Sequence, residues 1–157
     1  MYTLNHTLEK NVIEADGRYL NAKELTALEQ YAQGYASRLT AYQEVRDNSK
    51  QLVVQALTHL FKAYPDLLQN HKQRCVYDMS ETLRYIALSI LRDDEVFFME
   101  ALMSWLDTIL LAYKKTGPCA IAYRHLQDAV EQHLSGNTAS LVRPYLERVR
   151  QGLEAHA

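Results

Sequence analysis

The sequence predicts an all-α protein, and three observations support this prediction. Apolar residues recur at intervals of three and four along almost the whole chain. Glycine and proline are scarce, with 5 and 3 copies, and they fall where helices are expected to end. No stretch alternates apolar and polar residues for long enough to form a strand. We therefore expect roughly six to eight helices around one core, as in other all-α domains.

Cap and stop residues divide the first half of the chain into helices. Asn21, with Glu24 three residues later, predicts the start of a helix with the apolar residues Leu25, Leu28, Ala32, Tyr35, Leu39 and Tyr42. The stretch DNSK (47–50) predicts a restart, and the apolar face of that second helix is Leu52, Val53, Ala56, Leu57, Leu60 and Phe61. Pro65 predicts its end, because proline disfavours helical geometry in the residue before it.

The second half of the chain predicts four further helices. The clearest amphipathic pattern belongs to the segment 73–92, with Val76, Met79, Leu83, Ile86 and Ile90. RDD (92–94) caps the next helix, which passes through Phe98, Leu102, Trp105, Leu106, Ile109 and Tyr113. KKTGP (114–118) stops that helix and starts another at Pro118, a favoured first helical position. LSGNTAS (134–140) is the last break before the stripe Leu141, Val142, Leu146, Val149 and Leu153.

Composition and charge exclude several classes of function. The net charge is -2 without a basic cluster, so we expect no nucleic-acid partner. The polar N-terminus is neither a signal peptide nor a transit peptide. The most apolar run (96–113) is interrupted by Glu100 and Asp107, which predicts a buried helix rather than a membrane span. Two cysteines are too few for a disulfide framework, so we expect a cytoplasmic protein with free or modified thiols.

One group of residues on the 73–92 helix could hold or react with a ligand. Cys75, Asp78, Thr82 and Tyr85 follow the spacing i, i+3, i+7 and i+10, so they share a face beside the apolar stripe. The pair Cys75 and Asp78 is compatible with a packed thiol and a charge at a helix start. It is also compatible with an attachment point and a counter-charge for a bound group. The residues alone favour the first interpretation, since such pairs are common in helices.

Five segments of the chain follow the pattern of one known family. They are ADGRYLNAKEL (15–25), DNSKQLVVQALTHLFKAYPDL (47–67), CVYDMSETLRYIALSILRDD (75–94), KKTGPCAIAYRHLQDAV (114–130) and LSGNTASLVRPYLERV (134–149). These segments resemble the phycobiliproteins, the globin-like antenna proteins of cyanobacteria and red algae. The resemblance follows the family's order over essentially the whole chain. It implies one globin-like domain over 1–157, with 1–20 as an N-terminal helical extension and 21–157 as the core.

The resemblance also implies a bound pigment. Cys75 occupies the position of the cysteine that forms a thioether with a bilin, a linear tetrapyrrole of the phycocyanobilin type. Asp78 occupies the position of the aspartate that accepts hydrogen bonds from pyrrole N–H groups and keeps the pigment protonated. The expected function is light harvesting or light sensing without catalysis, in the cytoplasm or at the cytoplasmic face of the thylakoid.

The predicted pocket departs from the family pattern. Tyr77 replaces an arginine that anchors a propionate of the pigment, and a phenol cannot supply a charged, forked donor. Lys72 or Arg74 is the expected substitute, and Thr82 completes the predicted binding set. The segment between the PDL motif and Cys75 is shorter than in the family, which predicts a more open pocket.

The resemblance further implies assembly through the N-terminal region. Asp16 and Arg84 match an acidic residue and an arginine that pair between subunits in the family, and Arg18 lies beside Asp16. We expect a homodimer, or a heterodimer with a phycobiliprotein-like subunit. The larger assembly expected is a phycobilisome or a photosystem. Two solvated surface charges of little energetic value are the alternative interpretation of Asp16 and Arg84.

Three other functions stay open at this point. The first is an interaction or assembly protein that uses the same fold without a chromophore. The second is haem binding with His59, His71 or His125 as the axial ligand. The third is an enzyme, for which no nucleophile–base pair, phosphate loop or carboxylate dyad can be identified. The histidines are scattered without metal-ligand spacing, so we expect no metal site.

Overall fold

Seven α-helices and one π-helical turn form the part of the chain that the structure describes. The computed structural model describes residues 5–113 and 116–155, with side chains for 5–109 and 117–155. The elements are α1 (His6–Glu14), α2 (Ala22–Ala63), α3 (Pro65–Arg92), α4 (Glu95–Phe98), a π-helical turn (Met99–Met103), α5 (Ser104–Tyr113), α6 (Thr116–His133) and α7 (Gly136–Ala155). The described residues contain no strand, so the prediction of an all-α fold is confirmed.

The start of α2 is as predicted, with a complete capping box. The Asn21 side chain accepts a hydrogen bond from the backbone N–H of Glu24 at 3.0 Å. The Glu24 carboxylate in turn accepts one from the backbone N–H of Asn21 at 2.8 Å. These bonds satisfy two of the N–H groups that a helix start leaves without partners.

The predicted restart at 47–50 is wrong, because α2 continues through it to Ala63. Two polar side chains of this stretch form hydrogen bonds with backbone carbonyls of the preceding turn instead of capping a new helix. Asn48 donates to the carbonyl of Glu44 at 2.8 Å, and Ser49 donates to the carbonyl of Arg46 at 3.0 Å. Polar residues of this kind are tolerated inside a helix when they bond to such carbonyls.

The region before Cys75 is helical rather than a loop. Pro65 ends α2 as predicted and is the first residue of α3, which then runs unbroken to Arg92. The segment that is short relative to the family is thus absorbed into the first turns of α3. Asp94 accepts a hydrogen bond from the backbone N–H of Phe97 at 3.0 Å, which confirms the predicted cap of the next helix.

The later predicted boundaries are partly covered by the structure. The break at 114–118 involves Lys114 and Lys115, which lie outside the described residues, and α6 begins at Thr116. The break at 134–140 is confirmed, since α6 ends at His133 and α7 begins at Gly136.

The core lies between the second half of α2 and helices α3, α6 and α7. Helix α2 packs on α3 and on α6, and α6 packs on α7. The largest fully buried side chains are Phe98, Leu52, Leu60, Leu83, Ile86, Leu102, Leu126, Leu146, Leu153, Val45, Val130 and Val142. The predicted stripes of α3 and α7 therefore supply the core as their periodicity indicates, except at Val76, which is 39% exposed.

Helix α1 is fixed to the corner between α3 and α4. The Asn5 side chain caps α1 and donates to the backbone carbonyl of Arg92 at 3.1 Å. The buried carboxylate of Asp94 accepts from the backbone N–H of His6 at 3.0 Å and contacts the His6 ring at 2.5 Å. The pKa of Asp94 is lowered, because these hydrogen bonds outweigh the opposing effect of burial.

None of the helices in the described ranges is both long enough and apolar enough to cross a bilayer. The division into an extension over 1–20 and a core over 21–157 stays a prediction.

Candidate functional site

A cleft opens between α3 and α6, with further walls from α2, α5 and α7. Its cavity volume is about 120 Å³, and its mouth is open to solvent. Sites for small organic ligands and cofactors are mostly apolar with a few polar groups, and their volumes of roughly 300–1,000 Å³ exceed the closed part of this cleft. The apolar part of this lining includes Leu57, Leu60, Leu67, Met79, Leu106 and Ile109. The polar part on α3 is His71, Arg74, Cys75 and Asp78.

The carboxylate of Asp78 has one occupied oxygen and one buried oxygen without a partner. Its Oδ2 accepts a hydrogen bond from Arg74 Nε at 2.8 Å. Its Oδ1 is buried and accepts no hydrogen bond from any described group. Leaving a buried acceptor unpaired costs roughly 1–3 kcal/mol, more for a charged group. An unpaired acceptor on the wall of an apolar cleft is therefore suited to a ligand that brings an N–H or O–H donor.

Cys75 lies one helical turn before Asp78 on the same wall. Its side chain is half-buried and packs against the edge of the core. The sulfur is therefore neither sealed inside the protein nor fully in water. The two residues that the sequence singled out, Cys75 and Asp78, thus meet on one cleft as the i, i+3 spacing predicted.

The other predicted site residues do not all reach this cleft. Arg74 lines it, whereas Lys72 lines a separate groove on the outer side of α2 and α3, together with Lys62. Tyr77 points away from the cleft and is 57% exposed. Of the two predicted substitutes for the missing arginine, only Arg74 is in position.

Thr82 is buried between α3 and α6 and does not line the cleft. Its hydroxyl donates to the backbone carbonyl of Asp78 at 2.9 Å, so it accepts from the hydroxyl of Tyr123 at 2.8 Å. This buried bond joins α3 to α6 beside the cleft. Burial raises the pKa of Tyr123, and so do nearby negative charges.

Three titratable residues of the cleft, His71, Cys119 and Tyr123, are absent from the predicted binding set. His71 precedes Cys75 by one turn, so the i, i+4 spacing could have placed it there. Cys119 and Tyr123 belong to α6, and nothing in the sequence shows that this part of α6 faces α3.

Of the three histidines considered for haem binding, only His71 lies on the cleft. His59 and His125 stack on each other with ring centroids 5.2 Å apart and do not line the cleft, whereas His71 does. Within the described residues, no group of three or more ligand-type side chains could hold a metal ion.

Two of the three residues predicted for assembly, Arg84 and Arg18, have side-chain partners inside the chain. Arg84 forms two hydrogen bonds with the carboxylate of Glu81, the Nε contact being 3.1 Å. Arg18 pairs with Glu24 at 2.8 Å, and this pairing, with the bond from Asn21, lowers the pKa of Glu24 to about 2. Asp16 is exposed near Arg18 in the turn between α1 and α2.

Comparison with known proteins decides the family. The model of the phycobilisome protein family matches residues 11–153. The chain belongs to the phycobilisome protein family. The chain is 33% identical over 98 residues to the allophycocyanin alpha-B chain of Cyanidium caldarium, an alignment that covers 56% of the chain and 60% of that relative. It is 30% identical over 101 residues to a putative allophycocyanin subunit alpha 2 of Nostoc sp., covering 58% of the chain and 63% of the relative.

The chain thus aligns with less than two thirds of these relatives' lengths. The family and the globin-like all-α fold implied by the resemblance are confirmed.

Proposed function

We propose that the cleft binds a linear tetrapyrrole covalently through Cys75, for light harvesting or light sensing. The observation that carries the proposal is the buried, unpaired Oδ1 of Asp78 on the same apolar wall as the half-buried sulfur of Cys75. The names of the similar proteins, which are allophycocyanin subunits, support it.

The residues of the cleft suit such a ligand. A bilin supplies visible absorption through its conjugated rings, and its pyrrole N–H groups are the donors that Asp78 Oδ1 lacks. The aliphatic side chains exclude water from the ring system. The bond between Thr82 and Tyr123 holds α3 and α6 at a fixed separation, which favours a rigid ligand whose excitation is not lost as heat.

Arg74 is the proposed partner of a propionate on the pigment. Its Nε already contacts Asp78 at 2.8 Å, and its side chain is 44% exposed. A guanidinium has five donors, so Arg74 can keep this contact and offer its terminal N–H groups to a second carboxylate. Arg74 would then bind both the Asp78 carboxylate, which neutralises the charged rings, and the propionate of the pigment.

The test is co-expression with a bilin-producing pathway and a bilin lyase. We expect wild type to retain zinc-enhanced fluorescence after denaturing electrophoresis, and Cys75→Ala to lose most of it. Asp78→Asn should keep attached pigment but lose much of its long-wavelength absorption, because the protonated rings lose their counter-charge. Tyr77→Phe is the matched control, since it changes an exposed residue of the same helix and should behave as wild type.

Absence of attached pigment from wild type would contradict this function. The chain would then be a chromophore-free interaction or assembly protein of the same fold. The observation that favours this second candidate is the ion pair of Arg74 with Asp78, which gives the carboxylate a partner without any pigment.

We further propose that the chain assembles through α1 and the first half of α2, with itself or with a related subunit of a phycobilisome or a photosystem. This region carries exposed apolar side chains on one stretch of chain: Val12, Ile13, Tyr19, Leu25, Leu28 and Tyr35. Groups of exposed apolar side chains are typical of association sites. The localisation proposed with it is the cytoplasm or the cytoplasmic face of the thylakoid.

Sedimentation equilibrium tests the assembly. Wild type should form dimers, and Leu28→Ser should weaken them at least tenfold in dissociation constant. Asp16→Ala and Arg84→Ala should each have a smaller effect, since Arg84 must exchange Glu81 for a partner in the other subunit. Val54→Ser is a control at an exposed apolar residue outside this region. A wild type that stays monomeric at all concentrations would contradict homodimerisation. A heterodimer would then be tested by adding an allophycocyanin-type subunit.

A further inference from the structure

Both cysteines of the chain lie on the same cleft. Cys75 belongs to α3, and Cys119 lies in the first turn of α6, which forms another wall. Each side chain is half-buried. A cysteine that serves only for packing is usually fully buried. Two partly accessible sulfurs that line one cavity therefore indicate chemistry in which both take part.

Tyr123 holds the two walls of the cleft together. It lines the same cleft as Cys75, Asp78 and Cys119, and it follows Cys119 by one turn of α6. Its hydroxyl contacts the hydroxyl of Thr82 on α3 at 2.8 Å. The helix that carries Cys119 is thus joined directly to the helix that carries Cys75 and Asp78.

We propose that Cys119 is a second nucleophile of the cleft, which adds to the same open-chain tetrapyrrole that Cys75 holds. This inference rests on the proposed function. In the addition, the S–H bond of Cys119 breaks and a C–S bond forms at an electrophilic carbon of the conjugated ligand. The proton ends on the ligand, so no oxidant or reductant is consumed. Because one double bond leaves the conjugated system, the doubly attached ligand absorbs at shorter wavelength.

The position of Cys119 suits this role. The N-terminal end of a helix carries partial positive charge, which stabilises the thiolate that acts as the nucleophile. Across the cleft, Asp78 would keep the ring nitrogens of the ligand protonated, and a protonated conjugated ring system accepts a nucleophile more readily.

The first readout needs no pigment. Dibromobimane, which bridges two neighbouring thiols as each displaces a bromide, is added to the wild-type protein. We expect a bridged pair of tryptic peptides, 75–84 with 116–124, and no bridge in Cys75→Ala or Cys119→Ala. Absence of the bridged pair from wild type would overturn the proposed juxtaposition.

The second readout locates the pigment. Wild type, Cys75→Ala, Cys119→Ala and Cys119→Ser are co-expressed with the bilin pathway, and the same tryptic peptides are analysed by mass spectrometry. In wild type we expect pigment mass that joins 75–84 to 116–124. In Cys75→Ala, which loses most of its attached pigment, we expect only a small remainder, on 116–124. Both Cys119 variants should absorb at longer wavelength than wild type.

Pigment on 75–84 alone would overturn the role of Cys119 and leave the proposed function intact. Pigment on 116–124 alone would support the nucleophilic role and overturn attachment at Cys75. Pigment on neither peptide would overturn both proposals.

Discussion

The two halves of α2 differ sharply, although they belong to one continuous helix. Residues 45–63 pack into the core, where Leu52 and Leu60 are 0% and 2% exposed. Residues 22–44 carry apolar residues at the same helical spacing, yet Leu25 and Leu28 are 45% and 44% exposed. The two stripes look alike in the sequence, and only one of them meets α3 and α6.

The difference shows that amphipathic spacing predicts which face of a helix is apolar. It does not predict which other element, or which partner, covers that face. In residues 45–63 the burial is supplied by the chain itself. In residues 22–44 the described elements nearby are the short α1, the α3–α4 corner and the start of α7, which leave most of the face uncovered. A partner surface is the remaining way to cover it, as proposed above.

The largest expected effect is the loss of stability in Leu52→Ala, and it tests the difference between the two halves of α2. Leu52→Ala should lower the free energy of unfolding by about 2–5 kcal/mol, because it removes buried methyl groups and leaves a cavity. The matched variant Leu28→Ala should change it by no more than about 0.5 kcal/mol in the monomer. Both variants are unfolded in urea, at a protein concentration at which sedimentation shows only monomers. Equal losses would mean that the first half of α2 is buried in the monomer too.

The attachment of α1 gives the next largest effect. Asp94→Ala should cost about 1–3 kcal/mol, because it leaves the backbone N–H groups of His6 and Phe97 without their acceptor. Hydrogen exchange should show faster exchange in α1 and unchanged exchange in the middle of α3. Lys10→Ala, at an exposed residue of α1, is the control. If exchange in α1 stays slow in Asp94→Ala, another contact holds the helix in place.

The smallest effect concerns Glu44, at the junction of the two halves of α2. Its carboxylate accepts hydrogen bonds from the backbone and the hydroxyl of Ser135 and from the hydroxyl of Thr138, at the start of α7. Glu44→Ala should therefore cost about 1–2 kcal/mol at neutral pH.

The pH dependence of this effect has a definite sign. Burial opposes ionisation of Glu44, but the bonds from Thr138 and Ser135 outweigh it and lower its pKa. A lowered pKa in the folded state means that the stabilisation is complete above the ordinary glutamate pKa. It is lost as the pH falls through the lowered value. The difference in unfolding free energy between wild type and Glu44→Ala should shrink accordingly, while Glu29→Ala, at an exposed position, shows no such trend. A difference that stays constant on acidification would contradict the role of the Glu44 carboxylate.

Much of the fold could be predicted from local sequence. The capping box of Asn21 and Glu24, the stop at Pro65 and the cap at Asp94 are local signals, and all three hold. The restart at 47–50 failed because polar residues that cap a helix can also bond to the carbonyls of the preceding turn. Which of the two occurs depends on whether the surrounding core favours a straight helix.

The candidate site was predictable on one wall only. Cys75, Asp78 and Arg74 lie within one or two turns of α3, so their spacing fixes their common face. Tyr77 and Lys72 were predicted for the site from the family pattern, but the turn of α3 directs them elsewhere. Cys119 and Tyr123 reach the site from α6, more than 40 positions along the chain, as the bond between Thr82 and Tyr123 shows.

The amino-acid order alone determined the helical elements, most of their ends and the placement of Cys75 and Asp78 on one face of α3. These features depend on neighbours within a turn or two of the backbone. Tertiary structure decided which apolar stripe is buried, which polar side chains line the cleft and where the second thiol lies. Those outcomes depend on contacts between residues far apart in the chain, whose free energy is gained only when separate helices meet and exclude water between them.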